Sequence, residues 1–297
     1  MSLQTTLRGT GVALVTPFHE DGSIDFPALE HLIEHIISNG CEYVVTLGTT
    51  GETPVLSKQE KIELITFTYS TVGSRVPVVV GVGGNDTRAL IEDLNHFPLD
   101  KAAAVLSASP YYSKPSQEGI YQHYKILAEN SPKPIILYNV PGRTGRSMTA
   151  QTTIRLAHEV ANIAGIKEAS GDMSLCMDIL KNKPDDFIVV SGDDALAMPQ
   201  IACGMEGVIS VAANALPGRF SEMIRLSLQY NFNQAKELND EMLEAYELMF
   251  CENNPSGVKA FLAELGLIKN VVRLPLVPLS AHIHEKVKQY LKAKSIR

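Results

Sequence analysis

Eight short runs of branched apolar residues recur along the chain, each followed by a longer amphipathic stretch, and this alternation limits the available folds. The runs are "GVALVTP" (11–17), "EYVVTLG" (42–48), "VPVVVGV" (76–82), "AAAVLSASP" (102–110), "PIILYNVP" (134–141), "IAGIKEAS" (163–170), "FIVVSGDD" (187–194) and "EGVISVAAN" (206–214). Their apolar residues are continuous rather than alternating. Strands buried on both faces look like this, which argues for a parallel sheet covered by helices. The intervening stretches carry helix signals. In "DFPALEHLIEHIISNG" (25–40), Asp25 is placed to cap and Pro27 sits in the first turn. Leu29, Leu32, Ile33, Ile36 and Ile37 fall at helical spacing, and Asn39-Gly40 ends the helix. Ser57 and Glu60 of "SKQE" match a capping box. Residues 149–161 repeat the amphipathic spacing with Ile154, Leu156 and Ala157.

About eight βα units favour an α/β fold of the (β/α)8 TIM-barrel type; the alternative is a doubly wound open sheet with six or so strands. The strand signal stops near residue 218. The stretch "FSEMIRLSLQYNFNQAKELNDEMLEAYELMF" reads as helical throughout. The chain is therefore divided into a barrel catalytic domain over 1–224 and a C-terminal helical extension over 225–297, packed on the barrel or against a partner subunit. With 297 residues and 45% hydrophobic content, there is material for one large core.

Composition narrows the function classes. A net charge of -7 makes nucleic acid a poor partner, because phosphate binding needs clustered cations. No run reaches the ~18 apolar residues of a membrane span. Cys41, Cys176, Cys203 and Cys251 form no CxxC pair, which disfavours a disulfide framework or zinc site and fits a reducing cytoplasm. The opening "MSLQTTLRGT" has neither an apolar h-region nor a cleavage pattern. His31 with His35, and His282 with His284, lack the HExxH order, so no metal is expected. There is no GxSxG elbow and no Walker loop, and "GVGGND" and "CGMEG" are too loose for a nucleotide site.

In a barrel, reactive groups gather where strands end and the following loops begin. After the second strand, "GTTGE" (48–52) places Thr49 and Thr50 in a glycine-flanked turn able to aim amides and hydroxyls at an anion. After the fourth, Tyr111 and Tyr112 cannot both face one side of an extended chain. After the fifth, "LYNVPGRTG" (137–145) supplies the phenol of Tyr138 and, in a Pro/Gly-framed loop, the guanidinium of Arg143, suited to a carboxylate. The sixth strand, "IAGIKEASG" (163–171), ends on Lys167. A lysine there either points to solvent or is a nucleophile facing the barrel interior. The second case requires loss of its proton, which apolar walls and a nearby guanidinium favour. Glu52, Glu168 and Asp193 read as loop stabilisers rather than acids.

Taken together, "GTTGE", "PYY", "YNVPGRTG" and "GIKEASG", in this order and at these separations, resemble the 4-hydroxy-tetrahydrodipicolinate (dihydrodipicolinate) synthase family, Schiff-base-forming pyruvate aldolases of the N-acetylneuraminate lyase superfamily. The resemblance runs from about residue 8 to the C-terminal helices. It implies condensation of pyruvate with aspartate semialdehyde in lysine and diaminopimelate biosynthesis, no cofactor, and a homotetramer built as a dimer of dimers. It also implies residue roles. Lys167 would form the imine and Tyr138 would shuttle protons. Thr49 would link Tyr138 to Tyr112 reaching in from a neighbouring subunit. Thr50 would bind the pyruvate carboxylate, Arg143 would receive the semialdehyde carboxylate, and Gly192 and Ile209 would line the site. A sibling sugar-acid lyase would share Lys167 and Tyr138 but has no need of Arg143. A non-catalytic keto-acid sensor is a third reading.

One departure concerns feedback inhibition by lysine. Asn85 and Tyr111 match the family's effector site, but Lys58 and Lys61 stand where the inhibited type carries histidines, and Ala89 replaces an amine-binding glutamate. Extra cations and a lost carboxylate repel a cationic effector. Weak or absent inhibition is predicted, and half-inhibition by micromolar lysine in a coupled assay would contradict it.

Overall fold

The computed structural model describes residues 3–296. Eight strands pair in sequence order, all parallel, and close on themselves: β1 (Gly9–Ala13), β2 (Tyr43–Thr46), β3 (Val78–Gly81), β4 (Ala104–Ala108), β5 (Ile135–Asn139), β6 (Ile163–Glu168), β7 (Ile188–Ser191) and β8 (Gly207–Ser210). The closed ring rules out the open sheet. A short α1 (Leu3–Thr6) precedes β1, and α2 (Phe26–Ser38), α3 (Lys58–Val72), α4 (Thr87–His96) and α5 (Gln117–Asn130) follow the first four strands. The second half adds α6 (Pro141–Thr144), α7 (Ala150–Glu159), α8 (Met173–Asn182), α9 (Ala197–Ala202) and α10 (Pro217–Leu228). Three further helices, α11 (Phe232–Phe250), α12 (Ser256–Glu264) and α13 (Ala281–Ala293), form the C-terminal part.

Local signals and structure agree where side chains satisfy backbone groups. Asp25 accepts from the Ala28 amide at 3.0 Å to start α2. Ser57 and Glu60 close a reciprocal capping box on α3. Strand β1 starts two residues earlier than its apolar run and ends at Ala13, because its ladder partners are Tyr43–Val45 on one side and Gly207–Ser210 on the other. The tail is not one helix. Tyr230 adopts a left-handed φ of 62°, and the Asn231 amide turns back to the Leu226 carbonyl at 2.9 Å, which separates α10 from α11.

Two apolar cores result. One lies between the barrel and its helices and includes Val12, Val44, Val80, Ile135 and Ile166. The other fills the barrel itself and includes Tyr43, Val45, Val79, Leu106, Ile136, Ile188 and Ile209. Continuous apolar strands follow from this, since both faces are dry. Full burial of one such side chain is worth roughly 1.5–3 kcal/mol. Gly11 makes room for the Tyr43 ring, whose atoms would stand 2.1 Å from a methyl at that position.

The seam between β7 and β8 has a single register pair, Ser191 with Val208. Two buried carboxylates stitch its ends. Glu206 accepts from the Val189 amide at 2.8 Å. Asp194 accepts from the amides of Val211 and Ala212, at 3.1 and 2.8 Å. Burial pushes the Asp194 carboxyl up to about 6, against the bonds that would lower it. A carboxyl that holds its proton more tightly when folded contributes stability that fades as the pH rises from about 4 to 6. Asp194→Ala is expected to lower the unfolding free energy by about 2–6 kcal/mol, as two buried amides lose their acceptor at ~1–3 kcal/mol each. Asp194→Asn should remove the pH 4–6 contribution; an unchanged urea midpoint in the alanine variant would contradict the assignment.

Candidate active site

The parity of β6 decides which of its residues face inward. Ile135 pairs with Ile163, yet the next residue, Ile136, pairs with Gly165. The extra residue on β6 re-phases the strand. Beyond it Ile166 joins the outer core, while Ala169 packs with the inner one. Lys167, between them in alternation, lies opposite Tyr138 in the register. Its Nζ sits 4.4 Å from the centroid of the Tyr138 ring, and the residue is only 5% exposed. The solvent-pointing reading of Lys167 is thereby excluded.

The neighbouring residue anchors the strand from behind. Glu168 is fully buried and accepts from Asn139 Nδ2 at 2.8 Å and from the Ser170 amide at 2.6 Å. Asn139 in turn accepts from the Met148 amide at 2.9 Å. Burial holds the Glu168 carboxyl above the usual range, partly offset by these bonds. Just past the end of the next strand, β7, the Gly192 amide donates to the Glu168 carbonyl at 2.7 Å. A methyl at Gly192 would stand 2.5 Å from Ala169 Cβ and 2.9 Å from Lys167 Cε, so only glycine leaves the lysine stem its path. Ile209, on β8, is buried in the same inner core as Tyr138.

The threonine turn follows β2. Thr49–Gly51 form a 3-10 turn flanked by two left-handed residues, Leu47 (φ 57°) and Glu52 (φ 55°). Such conformations cost roughly 1–3 kcal/mol apiece and persist where surroundings over-determine them. As the first residues of the turn, Thr49 and Thr50 present amides with no acceptor inside it. Thr50 is buried, and its hydroxyl accepts from Asn254 Nδ2 at 3.2 Å. Arg143, on α6, is exposed and donates through Nη2 to the Asn254 carbonyl at 3.2 Å. Asn254, in the loop between α11 and α12, thus joins the threonine turn to the arginine. Sequence reasoning missed it, since "ENNPSG" carries only a turn signal.

Not every candidate converges. Among the described residues no hydrogen bond joins Thr49 to Tyr138. Tyr112 is 90% exposed with a left-handed φ of 69°, and Tyr111 is 41% exposed, so neither enters the site of its own chain. Lys58 pairs with Asp93 at 3.0 Å. Burial, reinforced by the charge of Lys58, draws the Lys61 ammonium below its ordinary range, with Asp93 opposing. Among the described residues no group of three or more His, Cys, Asp or Glu side chains could hold a metal ion.

A (β/α)8 barrel that keeps an amine buried inside its mouth, against a phenol, is the arrangement of a lysine-imine aldolase. The chain belongs to the dihydrodipicolinate synthetase family, whose model matches residues 6–294. It is 49% identical over 295 residues to the 4-hydroxy-tetrahydrodipicolinate synthase of Phocaeicola vulgatus, with 99% of each chain covered. Its fold is similar to that of dihydrodipicolinate synthase from Thermotoga maritima, at a TM-score of 0.95 and 36% identity, covering 98% of this chain and 100% of that one. The chloride-inhibited dihydrodipicolinate synthase from Acinetobacter baumannii, solved in complex with pyruvate, also gives a TM-score of 0.95, at 41% identity and with 98% and 100% covered.

Gly192→Ala should displace the Lys167 side chain by roughly an ångström, because carbon atoms pack at about 3.5–4.0 Å. A crystal structure of the variant with the lysine stem unmoved would contradict the close approach.

Proposed function

We propose that the chain condenses pyruvate with (S)-aspartate 4-semialdehyde to 4-hydroxy-tetrahydrodipicolinate, a step of diaminopimelate and lysine biosynthesis. The observation that carries this reading is the Lys167–Tyr138 pair on adjacent strands, buried inside the barrel mouth. The free amine of Lys167 attacks C2 of pyruvate, and water leaves to give an imine. The cationic imine takes up the electron pair of a methyl C–H bond as its proton passes to a neighbouring base, and a neutral enamine forms. Its terminal carbon attacks the aldehyde carbon of the semialdehyde. The substrate's own amine then displaces Lys167 and closes the six-membered ring.

Tyr138 moves the protons; the family resemblance adds Thr49 and the partner's Tyr112 to its relay, although among the described residues of the single chain Thr49 makes no hydrogen bond to Tyr138. Each such transfer contributes ~10²–10⁴-fold. The exposed, left-handed placement of Tyr112 supports a role across a subunit boundary in a homotetramer of two tight dimers. Thr50 and its amide hold the pyruvate carboxylate, Arg143 receives that of the semialdehyde, and Gly192 and Ile209 shape the wall. The barrel supplies these groups from 1–224; the 225–297 extension reaches back through Asn254. The proposed 224/225 boundary falls inside α10. The imine acts as the electron sink, so the reaction asks for no cofactor. The four unpaired cysteines suit a cytoplasmic setting, and among the described residues no helix is long and apolar enough to cross a membrane.

The wild-type chain should turn over pyruvate with aspartate semialdehyde in a coupled assay, and Lys167→Ala should not. Arg143→Leu is expected to lose about 10- to 100-fold in kcat/KM for the semialdehyde, the worth of a charge-assisted hydrogen bond. Cleavage of sialic acid with no turnover of the semialdehyde would overturn the reading in favour of a sibling lyase.

A further inference from the structure

Immediately after the two threonines, Glu52 turns its carboxylate inward, where it is 2% exposed. Its partner is Lys259 of α12, fully buried, with Nζ 2.5 Å from Glu52 Oε1. The same ammonium donates to the Val271 carbonyl at 2.8 Å and stands 4.2 Å from the centroid of the Phe18 ring. The other carboxylate oxygen accepts from the Arg273 amide at 2.9 Å. The Arg273 guanidinium lies 4.5 Å from the Phe18 ring centroid and binds the next turn of chain: the Val55 carbonyl at 3.0 Å and Glu60 at 2.5 Å. The exit of the threonine turn is therefore clamped by cations contributed from far along the chain.

A buried ion pair is a poor source of stability, because desolvation offsets most of the attraction and apolar replacements often do as well. Here burial pulls the Lys259 ammonium down to about 8, against the pull of Glu52. What the pair does supply is direction. Glu52 is the left-handed residue that closes the Thr49–Gly51 turn, so fixing its side chain fixes where the turn ends. Asn254 holds Thr50 from the same part of the chain.

We propose that Lys259 and Glu52 are positioning residues for the reaction, holding the Thr49–Thr50 turn in register with Lys167. The inference rests on the roles given above to those threonines and goes beyond them by making the C-terminal helices a working part of the site. Lys259→Met is the test, with kcat expressed per active site titrated by borohydride trapping of pyruvate. The expected result is a fall in kcat per trapped site on the order of 10²-fold, the cost of about 1 Å of misplacement, with a raised KM for pyruvate. A lower melting temperature with kcat per trapped site and KM unchanged would mean a purely structural pair and would overturn the proposal. If that variant does not fold, Glu52→Gln decides. It keeps the side chain's shape and an acceptor for the Arg273 amide, and its kcat per trapped site should fall in the same sense; no change overturns the proposal. A wild-type chain that traps no pyruvate removes the functional reading as well, whereas normal wild-type trapping beside unaffected variants removes this inference alone.

Discussion

One strand places an amine in the barrel interior and a carboxylate on the opposite face. Side chains alternate along β6, so Lys167 points in only because Glu168 points out. The outward carboxylate is held by Asn139 and the Ser170 amide, and Asn139 is the strand neighbour of Tyr138. The inner pair, Tyr138 and Lys167, is therefore backed by an outer pair, Asn139 and Glu168, in the same two rows of the β5–β6 ladder. A one-residue slip would exchange the two pairs and empty the site.

Around this centre the polar groups are fixed by other polar groups rather than by apolar packing alone. The threonine turn is bounded by left-handed residues, joined through Asn254 to Arg143, and secured at Glu52 by Lys259 and Arg273. The apolar cores set the barrel's shape; these buried bonds set the direction of the few groups proposed to meet a substrate. Glycine has a complementary part at position 192, where the absence of a side chain admits the lysine stem.

Most of the barrel was legible because its strands are apolar on both faces and because helices such as α2 and α3 begin at side-chain caps, Asp25 and Ser57. Lys167, Tyr138, Thr50 and Arg143 stood out because polar groups at strand ends break that pattern. The bulge on β6 left no such mark, since Ile163, Ala164 and Ile166 read equally well in either phase. The break at Tyr230 was hidden because no glycine or proline accompanies it. Lys259 was hidden for another reason: a lysine within "GVKAFLAE" reads as the solvated face of a helix, and only the fold reveals Glu52 opposite it. Long-range pairs of this kind have no local signature. Asn254 and Arg273 belong to the same class.

The central claim is that Lys167 is the amine that bonds to the keto acid. Borohydride reduction of the intact protein with pyruvate, followed by peptide mass mapping, tests it directly. The account predicts one reduced pyruvyl adduct per chain, on the peptide containing Lys167. An unlabelled protein, or an adduct on any other lysine, would contradict it.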